Sequence, residues 1–135
     1  MELKAEFITR EGHIYSIMTE KLNLPGIDGR RTILTNHVPI MLPIKMGVIE
    51  TLHNGVLSHY AVDGGVVYFR NNTADILIGA VKDVGTLNKN SVTRLQQDAA
   101  RKSAQSENDY QRQRNDRDLK WTETLVKAVE RYGNK

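Results

Sequence analysis

The chain has 135 residues, of which 39% are hydrophobic and 26% charged, and a formal net charge of +3. That composition suits a soluble globular protein of one ordinary domain, or one small domain with an appendage. The absence of cysteine excludes disulfides and thiolate metal sites and fits a cytosolic protein. No apolar run approaches the roughly 18 residues of a membrane span, so membrane contact is expected to be peripheral.

The first residues, M-E-L-K-A-E-F, resemble neither a secretory signal nor an Arg-rich transit peptide. Leu3, Ala5 and Phe7 alternate with Glu2, Lys4 and Glu6, the period-2 signature of a strand with one buried face. Glu11-Gly12 turns the chain, and His13 to Met18 and Lys21 to Leu24 read as two further short strands. Pro25-Gly26 and Asp28-Gly29 predict two tight turns, because Gly tolerates positive φ and Asp bonds its own backbone. Ile33-Leu34 continues the strand pattern. Pro39 and Pro43 each remove a ladder donor, which places this region at a sheet edge or corner.

Gly47 to His53, Asn54-Gly55 and Val56 to Val62 predict a hairpin, since Asn-Gly supplies the two positive-φ residues of a type I′ turn. Asp63-Gly64-Gly65 marks a turn or bulge before the strand Val66 to Phe69, and Asn71-Asn72 permits a further hairpin into Thr73 to Gly79. Short strands at this spacing imply a sandwich or barrel. Near Leu87 the pattern changes. From Asn90 to Gly133 there is no proline and no internal glycine, and helix formers dominate. Asn88 and Asn90 are both candidate caps, and Asn108-Asp109 and Asn115-Asp116 are both candidate breaks between two helices of roughly 18 residues, about 27 Å each. The fold class expected is an N-terminal antiparallel β-sandwich or flattened barrel (residues 1–86) followed by a C-terminal antiparallel two-helix hairpin (residues 87–135).

Projected at about 100° per residue, Val92, Leu95, Ala99, Ser103 and Ser106 form the inner stripe of the first helix. Leu119, Thr122, Leu125, Val126, Val129 and Tyr132 gather on one side of the second. Small and polar residues bury little area, so the hairpin is expected to be weakly docked and able to move. Charge is unevenly divided: residues 1–87 carry 8 Lys and Arg against 9 Asp and Glu, whereas residues 88–135 carry 11 against 7. Arg117, Lys120, Lys127 and Arg131 share one stripe of the second helix. They either meet an acidic partner or form a solvated face braced by Asp116–Lys120 and Glu123–Lys127 in the favourable i,i+4 order. Adjacent acids and the lack of aromatic interleaving beyond Trp121 argue against nucleic acid.

His13, His37, His53 and His59 raise a metal or catalytic reading, but His53 and His59 flank one hairpin and no carboxylate lies at a ligand-like spacing beside them. Gly64-Gly65 lacks the flanking pattern of a phosphate loop, and no serine sits in a nucleophile elbow. Neither a catalytic residue nor a metal or cofactor is expected.

Taken in order, these features resemble the ε-subunit family of the rotary F-type ATP synthases over nearly the whole chain. The family's T-P-x-G turn corresponds to Thr9-Arg10-Glu11-Gly12. Its G-E-x-G-I-x-P-G-H-x-P-L motif corresponds to Gly29-Arg30-Arg31-Thr32-Ile33-Leu34-Thr35-Asn36-His37-Val38-Pro39-Ile40. Its Gly-Gly before a strand appears as Gly64-Gly65, and its v-T-v-L-A strand end as Ala74-Asp75-Ile76-Leu77-Ile78-Gly79.

The resemblance implies a bacterial-type rotor subunit at the cytoplasmic face of the cell membrane, without catalysis of its own. Its β-domain would bind the γ subunit and the membrane c-ring, with Arg30, Arg31, His37 and Pro39 at the interface. Its hairpin would extend toward the α/β catalytic subunits and restrain ATP hydrolysis, with Arg117, Lys120, Lys127 and Arg131 facing an acidic loop of the β subunit. Two departures stand out. Arg30 occupies the corner-loop position where the family usually has Glu, which calls for a differently charged ring loop or removes the contact. The I/L-D-x-x-R-A motif by which some bacterial members bind ATP is matched by Leu87-Asn88-Lys89-Asn90-Ser91-Val92, without its Asp, Arg and Ala, so ATP binding is not expected. The competing readings are an adaptor that binds an acidic protein through its basic helix, and a metal-dependent enzyme using His37, His53 and His59.

Overall fold

The computed structural model describes residues 1–133, in two compact units, Met1–Asp83 and the remainder from Val84. In the first unit the alternation at the start of the chain buries Leu3, Ala5 and Phe7 completely. Ten strands follow one another: β1 (Leu3–Thr9), β2 (Ile14–Thr19), β3 (Lys21–Gly26), β4 (Gly29–Leu34), β5 (Ile40–Ile44), β6 (Gly47–His53), β7 (Val56–Val62), β8 (Gly65–Arg70), β9 (Thr73–Ile78) and β10 (Val81–Asp83). They form one sheet in the order β10-β7-β6-β3-β5-β8-β9-β1-β2, with β4 paired to β3. All pairings are antiparallel except β1 with β9.

The sheet curls into a half-barrel. The fully buried Thr19 at the end of β2 accepts a hydrogen bond from Leu52 N–H at 3.0 Å and donates its hydroxyl to the Lys21 carbonyl at 2.6 Å. Glu20 N–H donates to the Leu52 carbonyl at 2.7 Å, so the end of β2 is drawn to β6. Inside the curl lie Leu22, Leu24, Ile33, Ile44, Ile49, Val62, Val67, Phe69, Ala74 and Ile76, each large side chain contributing about 1.5–3 kcal/mol of burial.

The turns follow the predicted chemistry with one exception. Asn54 and Gly55 adopt φ of 51° and 77°, and Asn71 and Asn72 adopt 51° and 56°. Pro25-Gly26, however, is not a turn. It ends β3, where Gly26 pairs with Gly29, and a single two-residue loop, Ile27-Asp28, reverses the chain. Arg30 and Arg31 therefore stand on β4 rather than in a corner loop. The strand carrying Pro43 is bonded to β8 along its length but meets β3 only at Gly26 with Ile44, so most of its other side is an edge, as the prolines require.

In the second unit a 3₁₀ turn (Val84–Thr86) precedes α1 (Lys89–Ala104) and α2 (Asp109–Tyr132). Asn88 caps α1 by accepting from Ser91 N–H at 3.1 Å, and Asn108 caps α2 by accepting from Gln111 N–H at 2.8 Å. The break thus falls at residues 105–108, and the Asn115-Asp116 alternative lies inside α2, which extends about 36 Å at 1.5 Å per residue. Val84, Val92, Ala99, Leu125, Ala128 and Val129 are the buried apolar residues of this unit. Leu95, placed on the inner stripe by the helical projection, is instead 51% exposed, whereas Ala128, which the projection left out, is buried. Near the turn the helices are joined by polar groups. Ser103 donates to Asp116, and the Asn115 amide donates to the Lys102 carbonyl at 3.1 Å and to Ser106 Oγ at 3.0 Å.

Candidate docking surfaces

Along β4 successive side chains alternate faces, so Arg30 and Arg31 point to opposite sides of the β3–β4 ribbon. Arg30 shares its face with Asn23 and Thr32. Its Nε donates to Asn23 Oδ1 at 2.6 Å and its Nη2 to the Asn23 carbonyl at 3.2 Å, while Asn23 Nδ2 donates to Thr32 Oγ1 at 3.0 Å. Arg31 lies on the other face, beside Gly26, and is exposed. The sequence grouped two cations that the pleat separates.

His37 and Pro39 belong to the connection between β4 and β5. Arg30 is separated from Leu34, where that connection begins, by about 13 Å of strand at 3.3 Å per residue. The His37 ring is half-buried, edge-on to Phe69 at 6.1 Å, and its Nδ1 donates to the Val38 carbonyl at 2.7 Å, which leaves Nε2 as its open nitrogen. Asn36, at φ 63°, donates its N–H to Asn72 Oδ1 at 2.8 Å. The loop is thus braced from its own fold, and Pro39 stands exposed beside it.

The structure also supplies carboxylates that spacing in the sequence did not suggest. His53 Nδ1 pairs with Glu2, and His59 Nε2 lies 2.9 Å from Glu50, whose other oxygen is 3.7 Å from Lys21 Nζ. The hydrogen bond from His59, aided by the charges of His59 and Lys21, holds the Glu50 carboxyl below its usual range despite burial. Among the described residues no three His, Asp or Glu side chains converge as metal ligands would, and His37, His53 and His59 lie on separate segments.

The largest unforeseen feature is an apolar row on the outer face of the sheet. Pro43, Val66, Leu77, Ile8 and Ile14 are consecutive cross-strand neighbours on β5, β8, β9, β1 and β2. Four inter-strand steps make the row about 19 Å long. Leu77 is 48% and Ile14 65% exposed, and Met41 and Tyr68 extend the apolar area alongside. Ile8, Gly64, Gly65 and Leu77 border a hollow of about 350 Å³ beside it. The signal was present in the sequence as adjacent apolar pairs, Phe7-Ile8, Val66-Val67 and Ile76-Leu77. A sheet with one wet face should alternate, and apolar pairs in its strands indicate that both faces are meant to be covered.

On α2, Arg117, Lys120, Lys127 and Arg131 are all exposed, whereas Leu125, Ala128 and Val129 are buried. Among the described residues neither Asp116–Lys120 nor Glu123–Lys127 forms an ion pair, and Asp116 is engaged by Ser103 instead. Arg131 rests over the Tyr132 ring at 5.3 Å. At the start of α1, Asn88 is occupied in capping Ser91, and Val92 is buried, while Leu87 N–H donates to the Val84 carbonyl. No helix among the described residues is long and apolar enough to cross a membrane.

Residues 2–83 match the family model of the ATP synthase δ/ε chain β-sandwich domain. The chain belongs to the ATP synthase δ/ε family. The ATP synthase epsilon chain of Lactobacillus gasseri is 30% identical over 134 residues, covering 96% of this chain and 89% of that relative. That of Lactobacillus delbrueckii subsp. bulgaricus is 36% identical over 78 residues, 55% of this chain and 53% of that relative. The fold recurs in a chain of the Euglena gracilis mitochondrial ATP synthase (OSCP/F1/c-ring) at a TM-score of 0.73 and 17% identity, covering 95% of this chain and 81% of that one. It recurs at a TM-score of 0.53 and 11% identity in the central stalk and c-ring of the Tetrahymena thermophila enzyme, covering 97% and 96%. As an ε chain by family, the protein is a subunit of the ATP synthase complex and not itself a catalyst.

Proposed function

We propose that the chain is the central-stalk rotor subunit of a proton-translocating F-type ATP synthase, coupling the γ subunit to the c-ring and restraining ATP hydrolysis through its helical hairpin. It would work at the cytoplasmic face of a bacterial membrane, held there peripherally through the complex. The observation that carries the docking half of this reading is the apolar row of Pro43, Val66, Leu77, Ile8 and Ile14, which would be costly to leave in water and suits a protein partner. γ is the partner assigned to it.

The test is co-purification with γ. Leu77→Asp places a carboxylate in the middle of the row, at an outward position where the fold tolerates it, and is expected to lower γ affinity about 100-fold. Wild-type chain that fails to retain γ would favour the adaptor reading instead, in which the basic helix binds another acidic protein.

Arg30, Arg31, His37 and Pro39 are assigned to the rotor-ring and γ interface. Arg30→Glu is expected to weaken assembly with the native ring about tenfold, with loss of the guanidinium separated from loss of the Asn23 brace by the control Asn23→Ala. Assembly that is unchanged in Arg30→Glu would return this arginine to the role of ribbon brace. Arg117, Lys120, Lys127 and Arg131 are assigned to an acidic loop of the β subunit, and the α/β catalytic subunits are reached through the hairpin. That these cations form no ion pair among the described residues supports the assignment, because no such pair need be broken to make an external one.

A further inference from the structure

β2 ends the sheet. Among the described residues its backbone is paired with β1 alone, apart from the link at Thr19 and Glu20 to Leu52, while its Tyr15 ring approaches that of Tyr60 on β7 at 6.2 Å. Which of its backbone groups point outward follows from two hydrogen bonds. Thr9 N–H donates to the His13 carbonyl at 2.9 Å, so His13, Tyr15, Ile17 and Thr19 are the residues that bond β1. Lys4 N–H donates to the Asn72 carbonyl at 3.1 Å, which turns Lys4, Glu6 and Ile8 toward β9 and fixes the same phase independently. Ile14, Ser16 and Met18 therefore direct their N–H and C=O groups away from the sheet.

An exposed edge of this kind invites strand pairing, and proteins usually blunt it with charge, proline or short length. The other margins of this sheet are blunted. β4 carries Arg30 and Arg31, β5 carries Pro43, and β10 is three residues long with Lys82 at its centre. β2 has none of these: Ile14–Thr19 reads I-Y-S-I-M-T, and Ile14, Tyr15 and Met18 are 65%, 48% and 47% exposed. Beside it, between β2 and the β7–β10 pair, a hollow of about 310 Å³ is lined by Tyr15, Tyr60, Val81 and Asp83. A strand laid along β2 would have room there for an inward-facing side chain.

We infer that the free edge of β2 is a strand-addition site, at which an extended segment of the partner covering the apolar row pairs with the backbone of Ile14, Ser16 and Met18. The occupant follows from continuity, because Ile14 is both the last residue of that row and the first residue of the open edge. A body resting on Pro43, Val66, Leu77 and Ile8 reaches β2 without a gap. The segment that fits has apolar side chains at alternate positions, so that one set continues the row while the backbone supplies the ladder. This rests on the docking reading above, in which the partner is γ.

The test compares γ binding by the full chain with Ser16→Pro, Ser16→Ala and Leu77→Asp, and measures amide hydrogen exchange with and without γ. Proline removes the outward N–H at an edge position while leaving the bonds to β1 in place. Ser16→Pro should weaken binding at least about tenfold and Ser16→Ala should not, with the amides of Ile14, Ser16 and Met18 becoming protected about tenfold or more in the complex. If Leu77→Asp abolishes binding while Ser16→Pro binds normally, or those three amides stay as exchangeable as in the free chain, the strand-addition inference is overturned and the docking face stands. If Leu77→Asp also binds normally, the docking reading itself falls. Exchange is measured on the wild-type chain, so the question is answered even if Ser16→Pro misfolds.

Discussion

Gly65→Ala is expected to lower the melting temperature by roughly 10 °C. Gly65 opens β8 at φ +155°, and a Cβ built there would lie 1.9 Å from the Leu77 carbonyl oxygen, 3.0 Å from its carbon and 3.1 Å from Ile78 Cγ2. The first two are backbone atoms of the paired strand and cannot swing aside as the end of a side chain would. Relief requires moving β8 off β9, an overpacking cost of about 3 kcal/mol. Gly55→Ala is the control. It shares a positive φ, +77°, but has nothing within 4 Å of the added carbon, so it bears only the backbone strain of about 1–2 kcal/mol. Thermal denaturation followed by circular dichroism separates the two, and equal melting temperatures would mean that the close approach is not maintained in solution. Because Leu77 lies at the centre of the apolar row, the same substitution should also weaken γ binding.

A catalytic core reconstituted with a chain ending before Asn88 should hydrolyse ATP about fivefold faster than one reconstituted with the full chain. The expectation rests on the exposed cations of α2, which form no ion pair among the described residues. Replacing Arg117, Lys120, Lys127 and Arg131 together with alanine should reproduce most of the rise, since all four side chains are exposed, Arg131 lying over the Tyr132 ring. Raising the ionic strength should narrow the difference between full-length and truncated proteins, because an exposed charge contact is screened by salt. Equal hydrolysis rates at low salt would remove the inhibitory role and leave the coupling role intact.

The local geometry of this fold was legible where one residue type answers one steric demand. Asn54-Gly55 and Asn71-Asn72 specify positive φ, Leu3-Ala5-Phe7 specifies a one-sided strand, and Asn88 offers a side-chain oxygen for the first free amides of a helix. The sequence is less legible where two elements act together. Pro25-Gly26 reads locally as a turn because the pairing of Gly26 with Gly29 and Ile44 is not visible in local composition. Arg30 and Arg31 adjoin in sequence, but a pleated strand sends neighbours to opposite faces. Leu95 fits a 100° projection but is exposed, because the line of contact with α2 runs through Val92 and Ala99. His59 and Glu50 meet across a hairpin, and Glu2 reaches His53 from the far end of the domain. The apolar row is the least legible feature of all. It requires the order of five strands, one of them joined in parallel, and no local pattern conveys that order.

The hairpin's helices are fastened differently along their length, and that difference orders any separation between them. Near the turn the bonds are Ser103 to Asp116 and Asn115 to Lys102 and Ser106, groups that water can satisfy almost as well, so each contributes only about 0.5–1.5 kcal/mol net. Toward the other end lie Val92, Leu125 and Val129, whose exposure water does not compensate. The pair therefore behaves as a zip fastener whose slider starts at the turn: the first opening breaks only hydrogen bonds, the resistance rises as the slider travels, and reclosure begins from the apolar end.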